Sequence, residues 1–383
     1  SNPINITSCG QLISPNAYYQ LVNDITGGND CVYWNEDVNN MTLDLNGFTI
    51  EGNSARVVSA TCFFSEIKNG TINSTEYNPY TALDIPYGDS CLLKDLKIKS
   101  TYYGIVTSSI ADRIKFKNVT VIAPIGIFMD GGKVNMYIKN STFIGSETGL
   151  GDFGIFHGGS QFDLITLEEV NFINYTEHIK LQDTFQTEYI IRNTHLNFTN
   201  AVPNIGIARF ITQHLVLINL TNETGSPVAG AIEIIQNGTN LSTISEVEKI
   251  DSNPTAHVFA ATNESGIAEV FLTEEIEIKR TFSPLETQLV TVNPYVLTAR
   301  SENVDNDTIL DFGAINSTVR INIPLTFGGG DTLPPCTILQ MLDLDYDGEG
   351  DSRDAKIITK YKVGQNVTAN GTKGCNALRF LPA

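Results

Sequence analysis

Through the first two hundred residues, apolar and polar positions alternate in a short phrase built around an Asn or an acidic residue. It reads Leu43-Asp44-Leu45-Asn46-Gly47-Phe48-Thr49-Ile50, then Ile67-Lys68-Asn69-Gly70-Thr71-Ile72, Leu93-Lys94-Asp95-Leu96-Lys97-Ile98 and Phe116-Lys117-Asn118-Val119-Thr120-Val121. Three more copies follow at Ile138 to Phe143, Leu167 to Phe172 and Ile191 to Leu196. The pivots Asn46, Asn69, Asp95, Asn118, Asn140, Glu169 and Asn193 are spaced by 23, 26, 23, 22, 29 and 24 residues. A second, weaker phrase recurs as Gly104-Ile105-Val106, Gly126-Ile127-Phe128 and Gly206-Ile207-Ala208. Period-two patterning over such short runs predicts two or three strands per repeat and no helix. One repeat cannot bury its apolar side alone, whereas coils stacked about 4.8 Å apart bury it along a common axis. The pattern therefore predicts a solenoid with the pivots at equivalent corners and Asn118 and Asn140 on adjacent coils. The interval of 29 residues predicts a longer loop near Gly149 to Gly159.

The opening Thr7-Ser8-Cys9-Gly10, the strand Leu21-Val22-Asn23-Asp24-Ile25, Cys31 and the phrase from Leu43 to Ile50 resemble the first turns of a known fold. It is the right-handed parallel β-helix of the periplasmic copper-processing and archaeal surface-protein type. The resemblance covers residues 1–213. It implies a fold and no particular activity, because this solenoid hosts lyases, hydrolases, adhesins and inert scaffolds.

From Leu215 the period changes. Asn219 to Ala231 leads into an alternating strand at Ile232 to Ile235, Thr262 to Ala268 precedes Glu269-Val270-Phe271-Leu272, and Pro294 to Ala299 and Val319 to Ile323 read as closing strands. This pattern is similar to carboxypeptidase-regulatory-like and other immunoglobulin-like modules, which implies a β-sandwich over residues 214–326. Gly328-Gly329-Gly330 and Pro334-Pro335 mark a boundary before the last segment, residues 327–383.

That segment carries the sharpest motif, Asp343-x-Asp345-x-Asp347-Gly348-x-x-Asp351-x-x-Asp354. Oxygen ligands at loop positions 1, 3, 5, 9 and 12, with Gly at 6 and the carbonyl of Glu349 at 7, follow the calcium loop of an EF-hand. Ala355 to Val363 is expected as the exiting helix, with Ile357, Ile358 and Tyr361 on one face. The stretch resembles one half of a dockerin. Dockerins carry two such loops and one is present here, so the implied role is calcium as a structural clip in a segment too small for its own core.

Composition bounds the chemistry. The 383 residues carry 43 Asp and Glu against 24 Lys and Arg, a formal charge of -19, and no run of Lys or Arg offsets it. Nucleic acid is therefore a poor partner, since phosphate binding needs a concentrated basic face, and acidic lipid surfaces are disfavoured for the same reason. No window reaches the roughly 18 apolar residues of a membrane span. The chain opens at Ser1, which reads as a mature chain whose export signal is gone. Six cysteines fall into three sequence-local pairs, Cys9 with Cys31, Cys62 with Cys91 and Cys336 with Cys375, as in an oxidising compartment. No CxxC occurs. N-glycan acceptors recur along the whole length, at Asn5, Asn40, Asn69, Asn73, Asn118, Asn140, Asn174, Asn197, Asn219, Asn222, Asn237, Asn240, Asn263, Asn306, Asn316, Asn366 and Asn370.

Catalytic signals are sparse. Phe156-His157-Gly158-Gly159 and Arg113-Ile114-Lys115 echo polygalacturonase-like hydrolases, but in reversed order and without an Asp-Asp pair. Asp130, Asp152 and Asp163 are the carboxylates to offer for glycoside hydrolysis, which needs two converging on one bond. His157 reads as a turn residue; His178, His195, His214 and His257 lack ligand spacing, and lone Trp34 gives no stacking platform. Tyr102, Tyr103, Phe128 and Phe143 fall on the repeat and are expected in the core or in a ladder. The parts describe an extracellular, glycosylated structural protein, stabilised by disulfides and calcium, which self-associates into a filament or surface layer. The alternative is a carbohydrate-active enzyme or glycan-binding adhesin using the solenoid flank.

Overall fold

A computed structural model describes residues 2–325 apart from 237–256, 311–318 and stretches of one to five residues. Every regular element it describes is a β-strand. By packing, the chain forms two units: Ser1–Leu215 with Phe271–Val292, and Val216–Val270 with Asn293–Ala383.

The first unit is a parallel β-solenoid of about seven turns. Strands such as Glu66–Ser74, Leu92–Lys99 and Ala111–Ile122 run through the pivot and pair with the next coil on both sides of it. All seven pivots hold positive φ, from 47° at Asn193 to 59° at Asn69. Asn and Asp tolerate this left-handed conformation best, because a short polar side chain bonds locally where a larger one is strained. That is why the phrase turns at Asn or Asp in six copies out of seven. Asn118 and Asn140 sit on adjacent coils, with Lys117 opposite Lys139 and Thr120 opposite Thr142. A second left-handed corner, unforeseen from the pattern, is formed by Asn16, Asn40, Phe64, Ser90 and Arg113.

Three inward ladders fill the axis. On one face Tyr19, Leu43, Ile67, Leu93, Phe116, Ile138, Leu167 and Ile191 stack in register. Past the pivot run Ile50, Ile72, Ile98, Val121 and Phe143. In the eight-stranded sheet run Val32, Val58, Leu83, Ile105, Ile127, Ile155 and Ile179. Nearly all are fully buried, each contributing about 1.5–3 kcal/mol of hydrophobic stabilisation.

The wide coil departs from expectation in one respect. Phe153–Ser160 is a strand, so the extra length sits before it, between Ile144 and Phe153, plus a register shift after Met129 and His157. Gly154 belongs in that strand because it stacks with Gly104 and Gly126. A Cβ on Gly126 would meet the Gly154 carbonyl at 2.5 Å, so the glycines let neighbouring backbones close. The third copy of that phrase differs: Ile207 opens a strand of the other sheet, opposite Gln186.

Two disulfides join adjacent coils, Cys9–Cys31 and Cys62–Cys91, separated by 22 and 29 residues. Loops of that size contribute about 3–4 kcal/mol in the chain-entropy account. Gly27 makes room for the first, since its Cβ would lie 2.4 Å from Cys9 Sγ. The hairpin partners Ile267–Arg280 and Glu286–Thr291 contribute Phe271 onward to this unit, where Lys279 lies over the Phe210 ring at 5.5 Å and Arg192 over Phe271 at 4.3 Å.

In the second unit four antiparallel strands run in the order His257–Ala261, Ala231–Gln236, Tyr295–Ser301, Val304–Leu310. Val216 to Asn222 pairs in parallel with Val319–Leu325. The segment 327–383, with Cys336, Cys375, the loop Asp343 to Asp354 and the expected helix, lies outside the described residues.

Two substitutions test this account. Phe116→Ala is expected to cost about 3–5 kcal/mol by urea unfolding, because the ladder cannot collapse on the gap. Glu169→Asn is expected to gain up to about 1 kcal/mol, since exposed Glu169 holds φ 55° without a local bond to reward it.

Candidate functional site

His157 lies within a strand and not on a turn. Its column neighbours are Met129 and Leu181, so the two-residue period points its ring inward, and it is fully buried. Asp163 Oδ2 accepts from Nδ1 at 3.0 Å, and the Tyr189 hydroxyl meets Nε2. Asp163 Oδ1 accepts the Val134 amide at 3.0 Å. In the neutral imidazole Nδ1–H donates to the carboxylate and Tyr189 donates to Nε2, so every member is satisfied. Burial pushes the Tyr189 pKa well above its ordinary value, which keeps this donor protonated. The group resembles a catalytic relay in composition, but no substrate reaches it; it specifies which coil stacks on which.

The carboxylates offered for hydrolysis do not converge. Asp163 is interior, Asp152 is buried and accepts from Ser146 N and Oγ at 2.6 Å each, and Asp130 faces solvent alone of the three. Arg113 is exposed and paired with Asp89, while His157 is inside, so the hydrolase echoes are not brought together.

Outward features are therefore the functional candidates. Along the main corner, Asn118 Nδ2 donates to Asp95 Oδ1 at 2.8 Å and Asn69 Nδ2 to Asp44 Oδ1 at 3.2 Å, a side-chain ladder parallel to the axis. Asn40 Nδ2 donates to Asn16 Oδ1, and Asn73 Nδ2 to Glu51 Oε2, both at 2.8 Å. Acceptor asparagines thus fall into two chemical groups. Asn222 and Asn263 instead use Oδ1, each closing a turn: Asn222 accepts from Thr224 N and Ser226 N, Asn263 from Ser265 N and Ile267 N. Asn5, Asn118, Asn140, Asn174 and Asn197 are exposed, and Asn219 is half-buried. Asn306 lies in Val304–Leu310, and Asn237, Asn240, Asn316, Asn366 and Asn370 lie outside the described residues.

On the eight-stranded sheet, Tyr103 stacks on Phe128 at 4.9 Å, and Phe128 lies 5.2 Å from Phe156. These rings are half-buried and face outward, whereas Phe143 is in the core ladder. On the opposite flank Glu168 accepts from Tyr137 Oη at 2.7 Å and Lys139 Nζ at 2.5 Å, with Arg192 at 3.7 Å. Burial alone would raise the Glu168 pKa, but the bonds from Lys139 and Tyr137 outweigh it and hold the carboxyl below its ordinary value.

Among the described residues, Ile4–Ile6 and Gly10–Gln11 are edge strands, each paired on one side, to Tyr18–Leu21 and Val32–Trp34. Ile4 and Ile13 are 43% and 71% exposed there. Glu177–Thr184 forms the other edge of the eight-stranded sheet among the described residues. Also among these residues, no group of three or more His, Cys, Asp or Glu is placed to hold a metal, and no helix is long and apolar enough to cross a membrane.

No family model, curated protein or solved structure matches the chain.

Because the folded pKa of Glu168 is depressed, its stabilisation is present above the ordinary glutamate value and lost as pH falls through the folded one. Glu168→Gln is expected to cost about 1–3 kcal/mol at neutral pH. The gap from the parent protein should close in acid, as read from urea midpoints at pH 7 and below the carboxylate range.

Proposed function

We propose that this protein is a secreted structural glycoprotein of a cell surface, archaeal by its resemblance, and the repeating subunit of an extracellular filament or layer. The carrying observation is a pair of strand edges: among the described residues Ile4–Ile6 and Gly10–Gln11 each pair on one side only, beside exposed Ile4 and Ile13. Such edges invite another chain unless blunted, and a head-to-tail contact that does not close gives an open filament. Two disulfides between coils are compatible with export. The four-stranded antiparallel sheet of the second unit supports the immunoglobulin-like reading of residues 214–326. Calcium bound by Asp343, Asp345, Asp347, Asp351, Asp354 and the Glu349 carbonyl, with a Cys336–Cys375 bridge, would hold the last segment, and N-glycans would coat the flanks.

The second reading, a glycan-binding adhesin, is favoured by the outward row Tyr103, Phe128 and Phe156, since aromatic faces stack on sugar rings.

Light scattering and electron microscopy of the glycosylated chain with calcium are expected to find ordered polymers, and Ile4→Lys with Ile13→Asp to give folded monomers. A stable monomer at high concentration overturns the structural reading. Peptide mass spectrometry is expected to find higher glycan occupancy at Asn222 and Asn263 than at Asn69 and Asn73, whose amide nitrogens already donate within the solenoid. The reverse order would mean that attachment precedes folding of the coils.

A further inference from the structure

The register collects lysines that are scattered in the chain. One outward column beside the main corner reads Gln20, Asp44, Lys68, Lys94, Lys117, Lys139, Glu168, Arg192 and Gln213. Four lysines thus occupy successive coils, about 4.8 Å apart at their backbones. Lys97 and Lys99 on one of these coils and Lys115 on the next widen the strip on either side. Residues 66–139 hold nine of the chain's 24 Lys and Arg but seven of its 43 Asp and Glu, so a basic zone sits within a strongly acidic chain.

The ends of this column are neutralised and its middle is not. Lys68 pairs with Glu66 at 3.0 Å and Lys139 with Glu168 at 2.5 Å. Lys94 has a loose, half-exposed contact to Asp95 at 3.6 Å, whose other oxygen already takes Asn118. Among the described residues no acid lies within ion-pair distance of Lys97, Lys99, Lys115 or Lys117, and all but Lys99 of these are exposed. Like charges directly opposite across neighbouring strands are destabilising. A sequence this rich in acid places one at each end of the run, at Asp44 and Glu168, and none between.

We propose that this strip is a binding site for a linear anionic polysaccharide, carboxylated or sulfated, lying along the solenoid axis. A regular array at the coil repeat suits a chain whose charges recur ring by ring, and an outward-facing run over four coils suits a polymer over a small anion. A nucleic-acid duplex or a lipid bilayer presents charge across a much wider front. It would reach past the strip to the rest of a chain whose formal charge is -19, over which screening acts beyond about 8 Å at physiological salt. A single sugar chain stays on the strip. The site is independent of self-association, so its test is made on dilute protein.

Binding of the full, glycosylated chain to alginate and dextran sulfate is compared with duplex DNA at equal charge and with neutral dextran at equal mass. The parent protein is expected to bind both anionic polymers, to lose them as salt rises from about 0.05 to 0.5 M, and to leave dextran unbound. Replacing Lys94, Lys97, Lys115 and Lys117 together by Ala should weaken binding at least tenfold with the fold intact by circular dichroism, since all four side chains are solvent-facing. Lys117→Glu supplies an independent readout: at low salt its urea midpoint should rise, because an acid now lies between Lys94 and Lys139. Unchanged affinity in the quadruple variant, no binding by the glycosylated chain, equal binding of dextran, tighter binding of DNA, or a lower midpoint for Lys117→Glu would each overturn the proposal.

Discussion

Each coil of the solenoid is held by the coil before it and the coil after it, so the register between parallel neighbours governs what the axis contains and what the surface presents. That register is pinned at the corners. A left-handed residue at each pivot forces the chain to turn at the same place in every coil, and the carbonyl or side chain of one pivot meets the next, as with Asn118 and Asp95. A slip of one residue in any strand would put Lys117 where Phe116 is buried and turn an apolar ladder to water. The inward ladders make that slip costly, and the disulfides fix the first coils where the stack has fewest neighbours.

Polar groups inside the stack serve the same end. The wide coil and the next bring His157, Asp163 and Tyr189 together in an interior filled mainly by apolar side chains. A buried set of this kind tolerates one arrangement, since a shifted coil would strand a carboxylate and an imidazole without partners. Tyr175 acts likewise from the loop side, its hydroxyl donating to the Ala123 carbonyl across 52 residues of sequence at 2.9 Å. These residues lie where the repeat length changes, which is where hydrophobic ladders alone specify the pairing least.

Charge is sorted by the same geometry. The formal charge of -19 keeps the flanks apart from other acidic surfaces, and yet one strip beside the corner is basic. The open strand edges at Ile4–Ile6 and Gly10–Gln11 and the lysine strip occupy different parts of the solenoid, an end and a side. Assembly and polysaccharide binding would therefore use separate surfaces of one unit.

The sequence by itself determined the repeat: alternation of period two, pivots at Asn or Asp, spacings near 23 and local cysteine pairs all follow from short-range chemistry that any window reveals. Phe116 and Ile138 were legible as core because each sits at the same place in its phrase. The destination of the extra residues near Gly149 was not, since a glycine run signals a turn and also the close backbone approach that Gly154 provides. His157 could not be placed inside, because its partners Asp163 and Tyr189 come from the same and the following coil and meet it only when stacked. The lysines show the limit most clearly. Lys94, Lys117 and Lys139 are more than twenty residues apart and form no run, and only parallel stacking at one residue register brings them side by side.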